Sequence, residues 1–334
     1  MITAQDLEYH YSATDDYTWA ETYYLPISIP EERLFAHVYV CVRPILGSMS
    51  NDIRIMGSVS ETELDLLYVD SQFHLPAAKR FSRIESPNGL SVVAVNPPRD
   101  YRIDYVGRDG TEIHVDMIGL MNPWDIHDPK LNPLAGHTDA ERLARTSMGS
   151  GYKGHFDMHC RTRGTMTVRG KVYEVDVVDR MNHSWGPRPE MDIPPTNSIW
   201  ASFGEELGFR LHLHLDPTKP TGSDQRLAHG YLLDHGEVFA LVDAKPITTR
   251  LGIVPISVDV EVTDQRGRSY MLRGIPLAGA PWRAYSTAVC WCALMRWELN
   301  GEIGYGSFQE NHSLTVESGL RGRRWTDRVP ALTA

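Results

Sequence analysis

Hydrophobic and polar residues alternate along most of this chain, in runs of strand length bounded by turn residues. Residues 34–42 read LFAHVYVCV, rich in β-branched and aromatic side chains, and 51–59 and 63–69 continue the texture. Residues 101–106 and 111–118 flank Arg108-Asp109-Gly110, a hairpin signal because Asp-Gly tolerates positive φ. Further strands are predicted over 155–163, 165–168, 172–178, 199–203, 208–215 and 229–233. The series ends with 238–242, 257–263, 269–275, 288–299 and 302–310. Asn300-Gly301, inside the last pair, is the strongest hairpin signal in the chain. The best helical signal is 138–147, where Thr138 can cap and Glu141 stands three residues later. Many evenly spaced strands with few short helices predict an all-β protein of antiparallel barrel or sandwich domains.

The stretch VDVVDRMNHSWGPR, residues 175–188, opens as a strand. Gly186 and Pro187 predict that the sheet stops there, because proline removes a ladder donor and glycine admits unusual dihedrals. Pro187, Pro189, Pro194 and Pro195 then read as a connector. The chain of 334 residues is long enough for two domains, and the connector places them at 1–190 and 191–334. His183, Ser184 and Trp185 set an imidazole, a hydroxyl and an indole side by side at that junction, a favoured place for a ligand site.

Several strands carry chemistry on one face. His155, Asp157 and His159 alternate with Phe156, Met158 and Cys160. They could ligate a metal, but neighbours two apart on one strand are ~7 Å apart at the backbone, so a polar wall or plain surface is the simpler reading. Arg210, His212, His214 and Asp216 alternate with Phe209, Leu211, Leu213 and Leu215 in the same way. In 302–310, Gly304 and Gly306 bracket Tyr305 and make room for a ligand or a close strand, and Glu310 ends the run. Trp19, Glu21 and Tyr23 share a face near the N-terminus.

Composition narrows the function. A net charge of -10 argues against a nucleic-acid partner. The first residues lack the basic start and apolar run of a secretory signal, and no stretch reaches the ~18 apolar residues of a membrane span. Cys41, Cys160, Cys290 and Cys292 form no CxxC pair, so free thiols in a reducing cytoplasm are expected. No Walker A motif, Rossmann pattern or GxSxG elbow is present.

His183-Ser184-Trp185-Gly186, after a strand and before Pro187-Arg188, resembles the Asp-His-Ser-Trp-Gly signature of the lipocalin-like superfamily that includes the carotenoid hydratases (hydroxyneurosporene synthases). Trp19 and Glu21, Gly154-His155-Phe156, Gly164, 168–170 and 304–310 resemble further elements of that family, so the resemblance covers most of the chain. It implies two lipocalin-like β domains packed together and an apolar site near their junction. It further implies hydration, dehydration, isomerisation or cyclisation of an isoprenoid-like molecule without metal or organic cofactor. His183 is then expected as base or water-positioning group, Trp185 as a wall that stabilises positive charge, and Glu310 as acid. Trp19, Glu21, His155 and Asp157 are expected to line the pocket. Asn182, Trp200, His212 and Tyr305 are expected to line it too. The family usually has Arg-Asp before the signature His; here Met181-Asn182 stand there, and Asn182 cannot donate a proton as an acid can. Glu310, Glu205 or Asp157 would have to replace it. The rival expectations are a carrier of a hydrophobic metabolite without chemistry, and a metalloenzyme built on His155, Asp157 and His159 or on His212 and His214. A homodimer is compatible with all of them.

Overall fold

The structure, a computed structural model, describes residues 1–326 apart from residue 13 and residues 190–192, with side chains described to residue 320. An 11-stranded sheet comes first. Its strands are β1 (Trp19–Ile29), β2 (Leu34–Arg43), β3 (Ser48–Met56), β4 (Tyr68–Pro76), β5 (Arg83–Glu85) and β6 (Leu90–Asn96). They continue with β7 (Asp100–Val106), β8 (Glu112–Gly119), β9 (Trp124–Asp125), β10 (Gly154–Val168) and β11 (Lys171–Pro187). The second sheet is a closed barrel. It comprises β12 (Thr196–Phe203), β13 (Leu207–Leu215), β14 (Gln225–Asp234) and β15 (Glu237–Leu251). It closes through β16 (Val254–Asp264), β17 (Ser269–Tyr285), β18 (Ala288–Leu299) and β19 (Glu302–Ser313). The helices are α1 (Asp139–Arg145) and α2 (Leu314–Thr326).

The first sheet runs β4-β3-β2-β1-β11-β10-β8-β7-β6-β5, with β9 on β10. The longest-range pairing in it is β1 against β11, which sets Glu21 opposite Trp185 and Tyr23 opposite His183. Alternation then sorts the side chains. Leu25, Ile27, Val40, Ile53, Phe156 and Met158 fill the core of the first sheet. Phe209, Leu211, Leu213, Val260 and Phe308 fill the barrel. A third apolar cluster crosses between the two, with Tyr24, Phe35 and Tyr39 against Ala280, Trp282 and Cys292.

Local chemistry explains the turns. Asp109 and Gly110 have φ of 56° and 63°, and Asn300 and Gly301 have 53° and 87°, the left-handed pairs that tight hairpins require. Thr138 accepts from the Glu141 amide while the Glu141 carboxylate takes the Thr138 amide, so α1 has the expected capping box.

Two expectations need correction. Residues 63–69 are not one strand: Thr62 caps a 3-10 turn at Glu63–Asp65, and the strand starts at Tyr68. The sheet also does not stop before Gly186; β11 runs to Pro187. Gly186 lies in the strand at φ 142°, where a Cβ would stand 2.6 Å from the Ser150 carbonyl oxygen. Pro187 is the last residue of the strand, opposite Trp19, so its missing N–H interrupts little. The expected boundary at 190/191 falls outside the described residues; the first sheet ends at Pro187 and the barrel begins at Thr196.

Candidate active site at the domain junction

The two polar faces read from sequence meet each other. His155, Asp157 and His159 project from β10 toward the barrel, and Arg210 and His212 project from β13 toward β10. Arg210 Nε donates to Asp157 Oδ2 at 2.9 Å, joining the two sheets by a fully buried ion pair. His155 Nε2 stands 3.1 Å from Asp157 Oδ1 but is turned out of line for a hydrogen bond. Tyr152 stacks on His155 with ring centres 4.3 Å apart. On β14, His229 pairs with His212 and stacks on it at 4.9 Å, while Ser198 Oγ shares a 2.7 Å hydrogen bond with His212 Nδ1. His159 Nδ1 shares another with the Tyr231 hydroxyl at 3.0 Å. The Trp200 ring lies beneath two guanidinium groups, Arg210 at 5.0 Å and Arg180 at 5.3 Å.

Close approach makes this possible. Where β13 crosses β10, a Cβ on Gly208 would stand 2.5 Å from His159 Nε2. Gly208→Ala is expected to cost about 1–3 kcal/mol through overpacking, read from the urea midpoint.

Burial sets the protonation states. Burial alone would raise the Asp157 pKa, but Arg210 and then His155 outweigh it and hold the carboxyl below its usual range. Burial lowers His155, and burial with the Arg210 charge lowers His212 and His229 further. The His159 value falls to about 3 by burial. The cluster at neutral pH is therefore one ion pair flanked by neutral imidazoles. Both ring nitrogens of His155 and His229, Nε2 of His212 and Asp157 Oδ1 lack a hydrogen-bond partner although buried. Buried polar atoms are seldom left so, and a group of them at one place fits a site that receives polar atoms from elsewhere.

Two cavities adjoin each other between the sheets. A small one of about 60 Å³ is lined by Tyr152, Asn182, Ser184, Arg188 and Gln309, among others. A larger one of about 510 Å³ lies outside it, between Leu46, Met49 and Phe73 of the first sheet region and Arg283 of the barrel. They share Ala284 and Tyr285, and the Tyr285 hydroxyl is 2.8 Å from that of Tyr39. Neither cavity is lined by His155 or Asp157; Tyr152 is the link, lining the inner cavity and stacking on His155.

Of the residues expected from sequence, His155, Asp157, Trp200 and His212 come together here, and Asn182 lines the inner cavity. His183, Trp185, Trp19 and Glu21 form a separate group on the other side of the β1–β11–β10 sheet. The rings walling His183, namely Tyr23, Phe81, Phe156 and Trp185, all belong to the first sheet region. His183 Nδ1 donates to the Thr22 carbonyl at 3.0 Å, and burial holds its pKa well below the usual value. Tyr305 is half-buried against the apolar cluster between the sheets. Gly304 and Gly306 make room for β12, not a ligand: added Cβ atoms would stand 2.4 Å from Ser202 O and 2.3 Å from Trp200 O.

Glu310 does not fit the role of acid. Its carboxylate takes two Arg250 bonds of 2.7 Å each, one from Asn197 at 3.1 Å, and faces His312 at 3.1 Å. Burial would raise its pKa, but Arg250 and His312 overcome this and hold it at about 2. Glu205 is an exposed partner of Arg161, and Asp157 is held ionised, so neither is a ready proton donor. His312 shows the reverse shift: burial would lower it, but Glu310 and Glu317 push it up to about 9. Its folded pKa exceeds its unfolded value of ~6.5, so its contribution is full below that pH and lost as pH rises through the folded value. His312→Gln is expected to flatten the alkaline fall in urea midpoint between about pH 6 and about pH 10.

Residues that sequence reading did not single out include Tyr152, Ser198, His229 and Tyr231 at the junction, and His10 beside His183. His229 could be placed only through its register opposite His212.

Two packed antiparallel β sheets, one closed as an eight-stranded barrel, with a buried polar site between them, define a two-domain lipocalin-like protein. Solved structures share that fold. Kievitone hydratase from Nectria haematococca matches with a TM-score of 0.52 and 12% identity over 87% of each chain. A provisionally assigned AttH from Nitrosomonas europaea matches with a TM-score of 0.57 and 12% identity, over 92% of this chain and 95% of its own. The chain belongs to the family described as Domain of unknown function (DUF7064), whose model matches residues 3–314. No curated protein matches it. Among the described residues, no helix is long and apolar enough to cross a membrane.

Proposed function

We propose that the junction is the active site of an acid–base enzyme that adds water to, or removes it from, a carbon–carbon double bond of a largely apolar small molecule. The observation that carries this reading is the Asp157–Arg210 ion pair, built from both sheets and flanked by neutral histidines with unpartnered nitrogens. In the addition direction, His155, beside the Asp157 carboxylate, takes a proton from water as the water oxygen bonds to one alkene carbon. The imidazolium so formed, held beside the Asp157 carboxylate, gives that proton to the other carbon, so nothing is consumed except water.

Arg210 and Arg180 over Trp200 disfavour a free carbocation at that ring. They favour an alkene conjugated to a carbonyl, whose oxygen gains negative charge in the transition state. Kievitone hydratase is a named hydratase among the solved structures; at 12% identity it supports the fold, and the chemistry rests on the junction.

The 510 Å³ cavity favours a second reading, a carrier that binds such a molecule without changing it. Protein purified from its native host is extracted into organic solvent and the extract identified by mass spectrometry. The recovered molecule is then returned to fresh protein in deuterated water. Deuterium fixed on carbon supports the enzyme; a bound molecule recovered without carbon-bound deuterium identifies the carrier.

A further inference from the structure

Inside the first sheet, on the opposite side of β11 from the junction, three metal-ligating side chains converge. Ligand atoms of His10, Glu21 and His183 all lie within 4.8 Å of one another. We propose that they bind a single first-row divalent transition-metal ion, with two imidazoles and one carboxylate as protein ligands.

The hydrogen bonds around the group leave His183 Nε2 without a partner, while Glu21 Oε2 shares one with His10 Nδ1. His183 gives its Nδ1 proton to the Thr22 carbonyl at 3.0 Å, which fixes the tautomer and turns the Nε2 lone pair outward. That Nε2 is buried, lacks a hydrogen-bond partner, and stands 3.9 Å from Glu21 Oε2. Two lone-pair atoms facing each other in a buried place require a cation between them or a cost in free energy. Glu21 is wholly buried, and its ion-pair partners among the described residues are the imidazoles of His10 and His183. Its Oε1 accepts from the His10 amide at 2.6 Å and the Trp19 indole at 3.2 Å, and Oε2 shares with His10 Nδ1 a hydrogen bond that a metal between them would replace. His10 Nδ1 is 3.0 Å from the same Oε2.

His183 is backed by a carbonyl, the support that metal histidines usually show. His10 Nε2 has no hydrogen-bond partner, and Asp6 Oδ1 stands 3.9 Å from it. Trp185 stacks on the His10 ring at 3.7 Å with the planes 2° apart, holding its orientation. With metal–ligand bonds of about 2.0–2.2 Å, tetrahedral ligands sit roughly 3.3 Å apart. The separations of 3.0 Å and 3.9 Å bracket that value. Imidazole with carboxylate suits zinc, iron, cobalt or nickel in preference to calcium or magnesium. His10 lies on the N-terminal segment, whereas Glu21 and His183 lie on β1 and β11, so the ion would also staple that segment to the sheet. The proposal is independent of the junction chemistry.

Protein stripped with a chelator is titrated with Co²⁺, following visible absorption bands and quenching of tryptophan fluorescence. The expected result is one equivalent bound, displaced by Zn²⁺, with a higher thermal midpoint when Zn²⁺ is in excess. His10→Ala, outside the core, and Glu21→Gln, nearly isosteric, are each expected to abolish binding, with folding checked by circular dichroism. His235→Ala, at an exposed histidine, is expected to bind as the parent does. No stoichiometric binding by the parent, or binding that survives His10→Ala or Glu21→Gln in folded protein, overturns the proposal.

Discussion

Replacing Arg210 with Met is expected to destabilise the fold by about 3–5 kcal/mol, the cost of leaving a buried carboxylate without its partner. Asp157 is wholly buried, and Arg210 is the arginine that holds it ionised. The paired change Asp157→Leu with Arg210→Met is expected to recover most of that loss, because two apolar groups leave no charge to solvate. Urea midpoints of the parent, both single variants and the double variant give the coupling directly. The pH dependence supplies an independent sign. In the parent, the folded pKa of Asp157 is below its unfolded value of ~3.9, so its stabilising contribution is present above that pH and lost as pH falls below it. In Arg210→Met the carboxyl is buried without the guanidinium, its pKa rises above the unfolded value, and acidification narrows the gap to the parent. The double variant should fold yet lack activity, which separates a site from a structural tie.

His155→Gln is expected to lower turnover by about 10²–10⁴-fold, the usual range for loss of a positioned acid–base group. The fold should persist, because glutamine keeps polarity beside Asp157 and roughly fills the space under Tyr152. Burial keeps the His155 pKa below its usual value, so the acid limb of the parent rate profile should lie below about pH 6.5. That limb should disappear in His155→Gln. A residue that only supports the junction would change the rate without removing the limb.

Much of this was legible from strand alternation. The polar faces at His155–Asp157–His159 and Arg210–His212 were readable because period-two patterning survives wherever one face packs on a core. That they face each other was not, since only the packing of the sheets decides whether a polar face meets solvent or a second polar face. The partner of His212 is set by register on β14, which shifts between His212 and Leu213, so no spacing along the chain gives His229. Glu310 reads as a candidate acid at the end of the Gly-rich run because Arg250, 60 residues away, leaves no local trace. His10 lies outside any periodic segment, and its approach to His183 depends on how the N-terminal segment crosses the sheet. The continuation of β11 through Gly186 was hidden because a glycine marks a close approach as readily as a turn.

The most direct test incubates parent and His155→Gln protein with an organic extract of the native host in water enriched in heavy oxygen, followed by mass spectrometry. The account predicts that the parent moves heavy oxygen into the carbon-bound hydroxyl of an apolar molecule, and that His155→Gln, folded and of similar stability, does so at least about a hundredfold more slowly. Equal labelling by the two proteins, or a molecule that the parent binds and releases without gaining heavy oxygen, would contradict it.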